Sequence, residues 1–155
     1  MAALGRELLK LDPWAFWPVE LGPGVGASHA VVGVTGALVA TPNGLEGYLV
    51  AEGRHLVVDD RRVVGFREAR HAARWLRGKL LGIGASTSEV TPAIVLTKAR
   101  AGAPREHRGV VVLRLEDVVP AITGRERVLD PTTAERLAAR IGRPLTRRGE
   151  QPDED

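Results

Sequence analysis

The chain contains no cysteine, and this absence removes several kinds of chemistry at once. Disulfide bonds, thiolate nucleophiles and cysteine-ligated zinc sites all require a residue that the sequence lacks. No apolar run approaches the roughly 20 residues that a helix needs to span a bilayer. The N-terminus also lacks the basic region and unbroken apolar core of a signal peptide. We therefore expect a cytoplasmic protein with no membrane span.

Aromatic residues are scarce as well, at 4% of the 155 residues, whereas hydrophobic residues overall make up 44%. This composition is ordinary for a globular chain, and the length suits one domain with a sizeable core. The net charge is only +3, although the predominance of arginine brings the sequence pI to about 9.9. Such a mild excess of positive charge permits contact with nucleic acid or acidic lipid without requiring it.

The sequence divides into three segments. Residues 1–27 are rich in tryptophan and proline and begin with a leucine pattern that predicts a short amphipathic helix, which Pro13 would end. We expect this segment to pack on the core. Residues 28–142 carry the strand and helix patterns of the main domain. Residues 143–155 are polar and charged, so we expect a disordered tail.

The first half of the main domain reads as β-structure. Short apolar runs between residues 29 and 64 are separated by the turn signals Asn43-Gly44 and Asp59-Asp60. This pattern predicts an antiparallel meander of about four short strands.

A helix is predicted over residues 66–82, followed by two buried strands. Apolar residues recur along the helix at steps of three and four, at Phe66, Ala69, Ala73, Leu76 and Leu80. The β-branched runs 91–97 and 109–115 are typical of strands covered on both faces, with a polar loop over 98–108 between them. Asp130 then caps a closing helix. This order predicts an α/β fold with a mixed β-sheet flanked by helices.

The predicted helix has a second regular face made of arginine. Its members, spaced by three, four and three residues, are Arg67, Arg70, Arg74 and Arg77. Evenly spaced guanidinium groups can follow the phosphates of DNA or RNA. The same pattern is equally typical of a solvated helix face in an arginine-rich chain, so both interpretations stay open.

The segment 28–47, SHAVVGVTGALVATPNGLEG, resembles the nuclease-related domain (NERD) family of the PD-(D/E)xK endonuclease-like fold. Gly33, Gly36 and Gly47 stand where the glycines of the family pattern would lie. The later segments ARHAARWLRGKL, TPAIVLT, HRGVVVLRLEDVV and LDPTTAERLAARI are similar to the family's following helix, two strands and closing helix. The resemblance covers residues 20–142 and implies a restriction-endonuclease-like core.

The charged residues of the family's catalytic motif are substituted in this chain. The first aspartate falls on Ser28, the second acidic residue on Thr41 and the lysine on Asn43. Mg²⁺ in such a site requires carboxylate ligands, and it activates a water molecule for attack on phosphate. The resemblance therefore implies a degenerate nuclease without a metal cofactor, a pseudoenzyme that binds nucleic acid or a protein partner.

Two alternatives to this interpretation stay open. In the first, the chain is an active divalent-metal nuclease, dependent on Mg²⁺, with ligands relocated to residues such as His29, Glu46 and Asp59. In the second, the chain is a structural interaction module that docks a protein partner through Trp14 and Trp17, since tryptophan is enriched at interfaces. The same tryptophans are also typical of a cap that closes one end of the core.

Overall fold

A computed structural model describes residues 2–85, 89–102 and 105–146. The elements in chain order are α1 (Ala3–Leu8), β1 (Phe16–Glu20), β2 (His29–Gly33), β3 (Gly36–Glu52), β4 (His55–Val58), β5 (Arg61–Arg62), α2 (Phe66–Gly82), β6 (Val90–Ala101), β7 (Arg105–His107), β8 (Val110–Arg114), a 3-10 turn (Leu115–Asp117), α3 (Val118–Thr123), α4 (Pro131–Ile141) and β9 (Arg143–Pro144). No helix within these residues is long and apolar enough to cross a membrane.

The main sheet is mixed and open, with the strand order β7-β8-β6-β3-β2-β1-β9. Strands β1, β2 and β3 form an antiparallel meander, and β6 and β8 then add parallel to β3. A parallel connection needs a crossover, and α2 supplies it between β3 and β6. These features confirm the predicted α/β fold with a mixed sheet flanked by helices.

Apolar side chains on both faces of the sheet form the core. On one face α2 and α4 contribute side chains such as Leu76 and Leu137, which pack on Val39 of β3. On the other face α1 and α3 contribute side chains such as Leu4 and Ile122. A third cluster joins apolar side chains of β4 and of the residue after β5 to the first two turns of α2, β6 and β8. Burial of both faces explains why the central strands are continuous apolar runs.

Helix α2 has the predicted bounds, Phe66–Gly82. All five apolar residues of the predicted stripe are buried, and Ala72 is buried with them. Helix α4 begins as predicted after Asp130, whose Oδ1 accepts a hydrogen bond from the main-chain N–H of Thr133 at 2.8 Å. Pro131 occupies the first turn, where a missing N–H is tolerated.

The predicted turn at Asn43-Gly44 is wrong. Strand β3 runs without interruption from Gly36 to Glu52. The neighbouring parallel strand β6 pairs with it along this length, and an irregularity in register between Asn43 and Glu46 absorbs the glycine. A β-bulge of this kind bends a strand without ending it. A glycine within a strand pattern is a sequence signal both for a turn and for a bulge, so the sequence does not distinguish them.

The predicted loop over 98–108 is also wrong in most of its length. Strand β6 continues to Ala101, and β7 pairs antiparallel with β8 as a hairpin at the edge of the sheet. Strand β7 lies at the edge of the sheet, and edge strands tolerate charged residues such as those that made this part of the segment resemble a loop.

Both terminal segments contribute to the sheet. Phe16–Glu20, from the segment predicted to pack on the core, is a strand that pairs with β2. Arg143–Pro144 pairs with the other edge of that strand, and Leu145 is buried. The predicted disordered tail therefore does not begin at residue 143. Residues 147–155, the rest of that predicted tail, lie outside the described residues.

Candidate nucleic-acid interface

The three positions that the sequence resemblance aligns with a catalytic motif lie near one end of β2. Ser28 precedes β2, and its main-chain N–H donates to the carbonyl oxygen of Ala40 on β3 at 3.2 Å. Thr41 follows Ala40, and Asn43 projects from the same face of β3 as Thr41. Ser28 and Thr41 are therefore neighbours in space, and Asn43 lies two residues further along β3.

Each of these three side chains is hydrogen-bonded to the surrounding chain. The Thr41 hydroxyl donates to the carbonyl oxygen of Gly26 at 2.9 Å. Ser28 Oγ lies 2.7 Å from His29 Nδ1 and donates to the Ala40 carbonyl at 3.4 Å. Asn43 Oδ1 accepts from the main-chain N–H of Leu45 at 2.9 Å. None of the three side chains carries a charge, and their hydrogen bonds stabilise the local backbone.

The loop before β2 packs directly on α2 at this site. Gly26 has a φ of 95°, and a Cβ at this position would collide with the main-chain oxygen of Glu68 in the first turn of α2. Only glycine fits both the left-handed conformation and the close approach. The same residue supplies the carbonyl that Thr41 binds, so the loop is fixed from two sides.

The structure separates the residues suggested as relocated metal ligands. His29 is buried and lies opposite Glu20 in the β1–β2 register. Glu46 and Asp59 line an open groove of about 560 Å³ near the far end of β3. Glu46 pairs with Arg100 at 3.5 Å. His29 is thus remote from the two carboxylates.

Asp59 also has a local structural partner. Its Oδ1 accepts a hydrogen bond from the main-chain N–H of Tyr48 at 2.9 Å. Within residues 2–85, 89–102 and 105–146, no three His, Asp or Glu side chains converge in a group that could hold a metal ion. The groove combines two carboxylates with Arg61 and Arg100, so its charge is mixed.

The arginine face of α2 is accessible. Arg67, Arg74 and Arg77 are exposed, and Arg70 is half-buried. In the described part of the chain, no carboxylate oxygen lies within 4.0 Å of any guanidinium nitrogen of these four residues. Because internal partners do not neutralise them, these groups remain available to an external anion.

One end of this face opens into a groove that the sequence did not predict. Arg74 and Arg77 line a depression of about 450 Å³ between α2 and the start of β6. Arg125, from the segment after α3, reaches into it and donates a hydrogen bond to the hydroxyl of Thr91. Glu89 and Glu106 also line the groove and lower its positive charge. Arg125 is brought here by tertiary folding alone, so no local pattern identifies it.

The other end of the face meets the β7–β8 hairpin. Arg70 Nη1 donates to the carbonyl oxygen of Arg108 at 3.0 Å. The rings of Phe66 and His107 lie beside each other, with their centroids 5.0 Å apart. The basic surface therefore continues from the helix onto the hairpin, a continuity hidden in sequence because residues 98–108 resemble a loop.

The two N-terminal tryptophans have different environments. Trp14 is 82% exposed, and Asp12 accepts its main-chain N–H in a tight turn. Trp17 lines an apolar groove of about 510 Å³ between α1, β1 and α4, together with residues such as Phe16 and Leu145. The segment therefore closes part of the core through Trp17 and exposes Trp14.

No protein-family model, curated protein or solved structure matches this chain.

Proposed function

We propose that this chain is a NERD-like domain with a restriction-endonuclease-like core, which has lost the catalytic charges of the fold and binds nucleic acid. The contact surface is the arginine face of α2. The observation that carries the proposal is the set of four arginines on one helix face with no ion-pair partner in the described residues. Unpaired guanidinium groups repel one another, and phosphate oxygens relieve that repulsion.

The arrangement of elements supports the family assignment. An antiparallel strand pair, a helix, two parallel strands and a closing helix follow in the order that the resemblance implies. Two of the aligned positions, Ser28 and Thr41, are also neighbours across β2 and β3, and Asn43 follows Thr41 by two residues on β3, an arrangement that suits one motif.

The chemistry of those positions does not fit a divalent metal. Mg²⁺ gives up its hydration shell reluctantly and is held through carboxylates. The hydroxyls of Ser28 and Thr41 and the amide of Asn43 offer no charge and are engaged with neighbouring groups. These side chains therefore do not suit a metal ion that activates water. The exposed arginine surface favours binding of nucleic acid instead.

Charge reversal of the exposed arginines tests the proposal. The double variant Arg74→Glu/Arg77→Glu is titrated against labelled single- and double-stranded DNA at two salt concentrations with Mn²⁺ present. We expect the wild type to bind without cutting, more weakly at high salt, and the variant to lose this binding. The matched control Arg136→Glu/Arg140→Glu makes the same change of charge on the exposed surface of α4.

Three outcomes would contradict the proposal. Equal DNA affinity in the α2 variant and the wild type would show that the arginine face is only a solvated surface and does not bind DNA. Equal loss in both variants would show a response to net charge alone. Cleavage that EDTA abolishes would favour the relocated-ligand nuclease.

A second candidate function is protein docking at the N-terminal segment. The specific observation is Trp14, at 82% exposure, close to the apolar groove that Trp17 lines. Exposed tryptophan beside an apolar depression is typical of interface anchors. This function predicts no DNA affinity and a protein partner whose binding is lost in Trp14→Ala.

A further inference from the structure

The turn between β7 and β8 places an arginine where the backbone disfavours it. His107 and Val110 are paired across the hairpin, so Arg108 and Gly109 are its two loop residues. Their φ angles are 53° and 78°, which is the geometry of a type I′ turn. That turn favours asparagine followed by glycine, because a longer L-residue is strained at positive φ. An arginine kept in a strained position is an observation that points to function.

Two contacts hold the turn against α2. Arg70 binds the carbonyl oxygen of Arg108, and Phe66 packs beside the ring of His107. These contacts engage the main chain and the preceding residue. No hydrogen bond or ion pair of the Arg108 guanidinium is seen within the described residues.

Apolar side chains of β4 and of the residue after β5 pack in one cluster with the first residues of α2 and β8, so the β4–β5 hairpin lies beside the β7–β8 hairpin. It brings further positive charge to this place. The Arg62 guanidinium is the main cause that lowers the pKa of His55, and partial burial, Arg108 and His107 lower it further. Glu52 at the end of β3 is the opposing charge and raises it. Two arginines and two histidines therefore lie on these neighbouring hairpins, with one carboxylate nearby.

We infer that Arg62, Arg108, His55 and His107 form a binding site for the phosphate groups of a polyanion. The site lies at the end of α2 that carries Arg70, so it extends the basic face onto the two hairpins. Phosphate oxygens accept charge-assisted hydrogen bonds from guanidinium groups and from a protonated imidazole, and they offset the repulsion between the two arginines. Insofar as the polyanion is DNA or RNA, the inference rests on the proposed function.

The histidines give the site a dependence on pH. A bound phosphate stabilises protonated His55, so binding takes up a proton when the pH is above the pKa of the free side chain. Affinity for a polyanion therefore increases as the pH falls towards the pKa of free His55, which lies below the ordinary histidine value of about 6.5. Arg62, Arg108 and His107 oppose this protonation in the free protein, Glu52 favours it, and the phosphate reverses the balance.

The decisive variant is Arg108→Asn, because asparagine suits the type I′ turn and retains the fold. Binding of a fluorescein-labelled duplex DNA is measured by anisotropy between pH 5.5 and 8 at several salt concentrations. We expect a several-fold loss of affinity in Arg108→Asn, with a salt slope smaller by about 1. We expect His55→Gln to flatten the pH dependence. Arg140→Asn on α4 is the matched control.

Tripolyphosphate provides a separate measure of the site itself. NMR of the imidazole protons gives the pKa of His55 with and without this ion, and we expect the ion to raise it in the wild type and not in Arg108→Asn. DNA binding that is unchanged in Arg108→Asn and in Arg62→Gln would overturn the site and leave the α2 face standing.

A raised pKa without any DNA binding would support the site and overturn nucleic-acid binding as the function. If neither DNA nor tripolyphosphate binds, both the hairpin site and nucleic-acid binding are overturned.

Discussion

Arg70 Nη1 lies 3.0 Å from the main-chain oxygen of Arg108 and donates a hydrogen bond to it, so α2 is joined to the edge hairpin of the sheet. This bond distinguishes Arg70 from the other arginines of the same helix face. Arg70 is half-buried, whereas Arg74 is exposed without a hydrogen-bonded partner in the described chain. Residues with the same spacing in sequence thus have different roles, one positioning the hairpin and one facing solvent.

The first prediction compares Arg70→Gln with Arg74→Gln. Both variants are expected to weaken DNA binding, with a salt slope smaller by about 1 for Arg74→Gln. Only Arg70→Gln is expected to speed hydrogen exchange at amides of the β7–β8 hairpin, because it removes the bond to Arg108. Exchange is followed by NMR. Identical exchange in the two variants would show that the bond does not hold the hairpin.

The second prediction concerns the hydroxyl of Thr41. Thr41→Val removes the donor to the Gly26 carbonyl at nearly constant shape. We expect the free energy of unfolding in urea to fall by about 1–3 kcal/mol, the usual effect of leaving a shielded polar group without its partner. DNA affinity is expected to stay unchanged. Thr41→Ser, which keeps the hydroxyl, is the control, and a loss as large as that of valine would refute the role of the hydrogen bond.

The third prediction uses two glycines of the same loop. Gly24 and Gly26 both have positive φ, at 84° and 95°, but only Gly26 would bring a Cβ against a neighbouring atom, the main-chain oxygen of Glu68. Gly24→Ala should cost about 1–2 kcal/mol, from backbone strain alone. Gly26→Ala should cost clearly more, because the loop must also move away from α2. Urea unfolding of the two variants measures the difference in their free energies of unfolding. Equal losses of stability would mean that the loop moves away from α2 without cost.

The sequence predicted α2 and α4 closely because their signals are local. The stripe from Phe66 to Leu80 keeps helical spacing without a break, and Asp130 provides the oxygen that caps α4. These features depend on residues three or four positions apart. A single sequence contains such information in full.

The strands were harder to predict because their partners are distant in the chain. Asn43-Gly44 is a strong turn signal, yet pairing with β6 overrides it. The strand at Phe16–Glu20 contains a proline and a tryptophan, and only its position between β2 and β9 makes it a strand. The tertiary fold determines which strands pair, and local residue propensities do not contain that information.

The residues of the candidate site also differ in whether the sequence predicts them. The arginine face of α2 follows from helical period, and the proximity of Ser28 to Thr41 follows from the expected strand–turn–strand spacing. Arg108 could not be found this way, since arginine followed by glycine is not a favoured type I′ pair. Arg62 and His55 belong to the hairpin that packs beside it and are more than forty residues away in sequence.

The final prediction concerns His29, a buried titratable group between β1 and β3. Burial lowers its pKa below the ordinary value of about 6.5, and the nearby carboxylate of Glu20 offsets this in part. The unfolded chain therefore binds a proton at His29 more readily than the folded chain does. Stability from this group is complete above pH 6.5 and is lost as the pH falls towards the folded pKa.

His29→Asn tests this linkage, because an amide can keep a polar atom near Ser28 Oγ, which lies 2.7 Å from Nδ1. The free energy of unfolding, measured in urea from pH 7.5 to 4.5, should fall less steeply with pH in the variant. His71→Asn, at an exposed position of α2, is the control for removing a histidine. If the His29→Asn curve runs parallel to that of the wild type, burial does not keep His29 neutral and its position in the sheet has no consequence for pH stability.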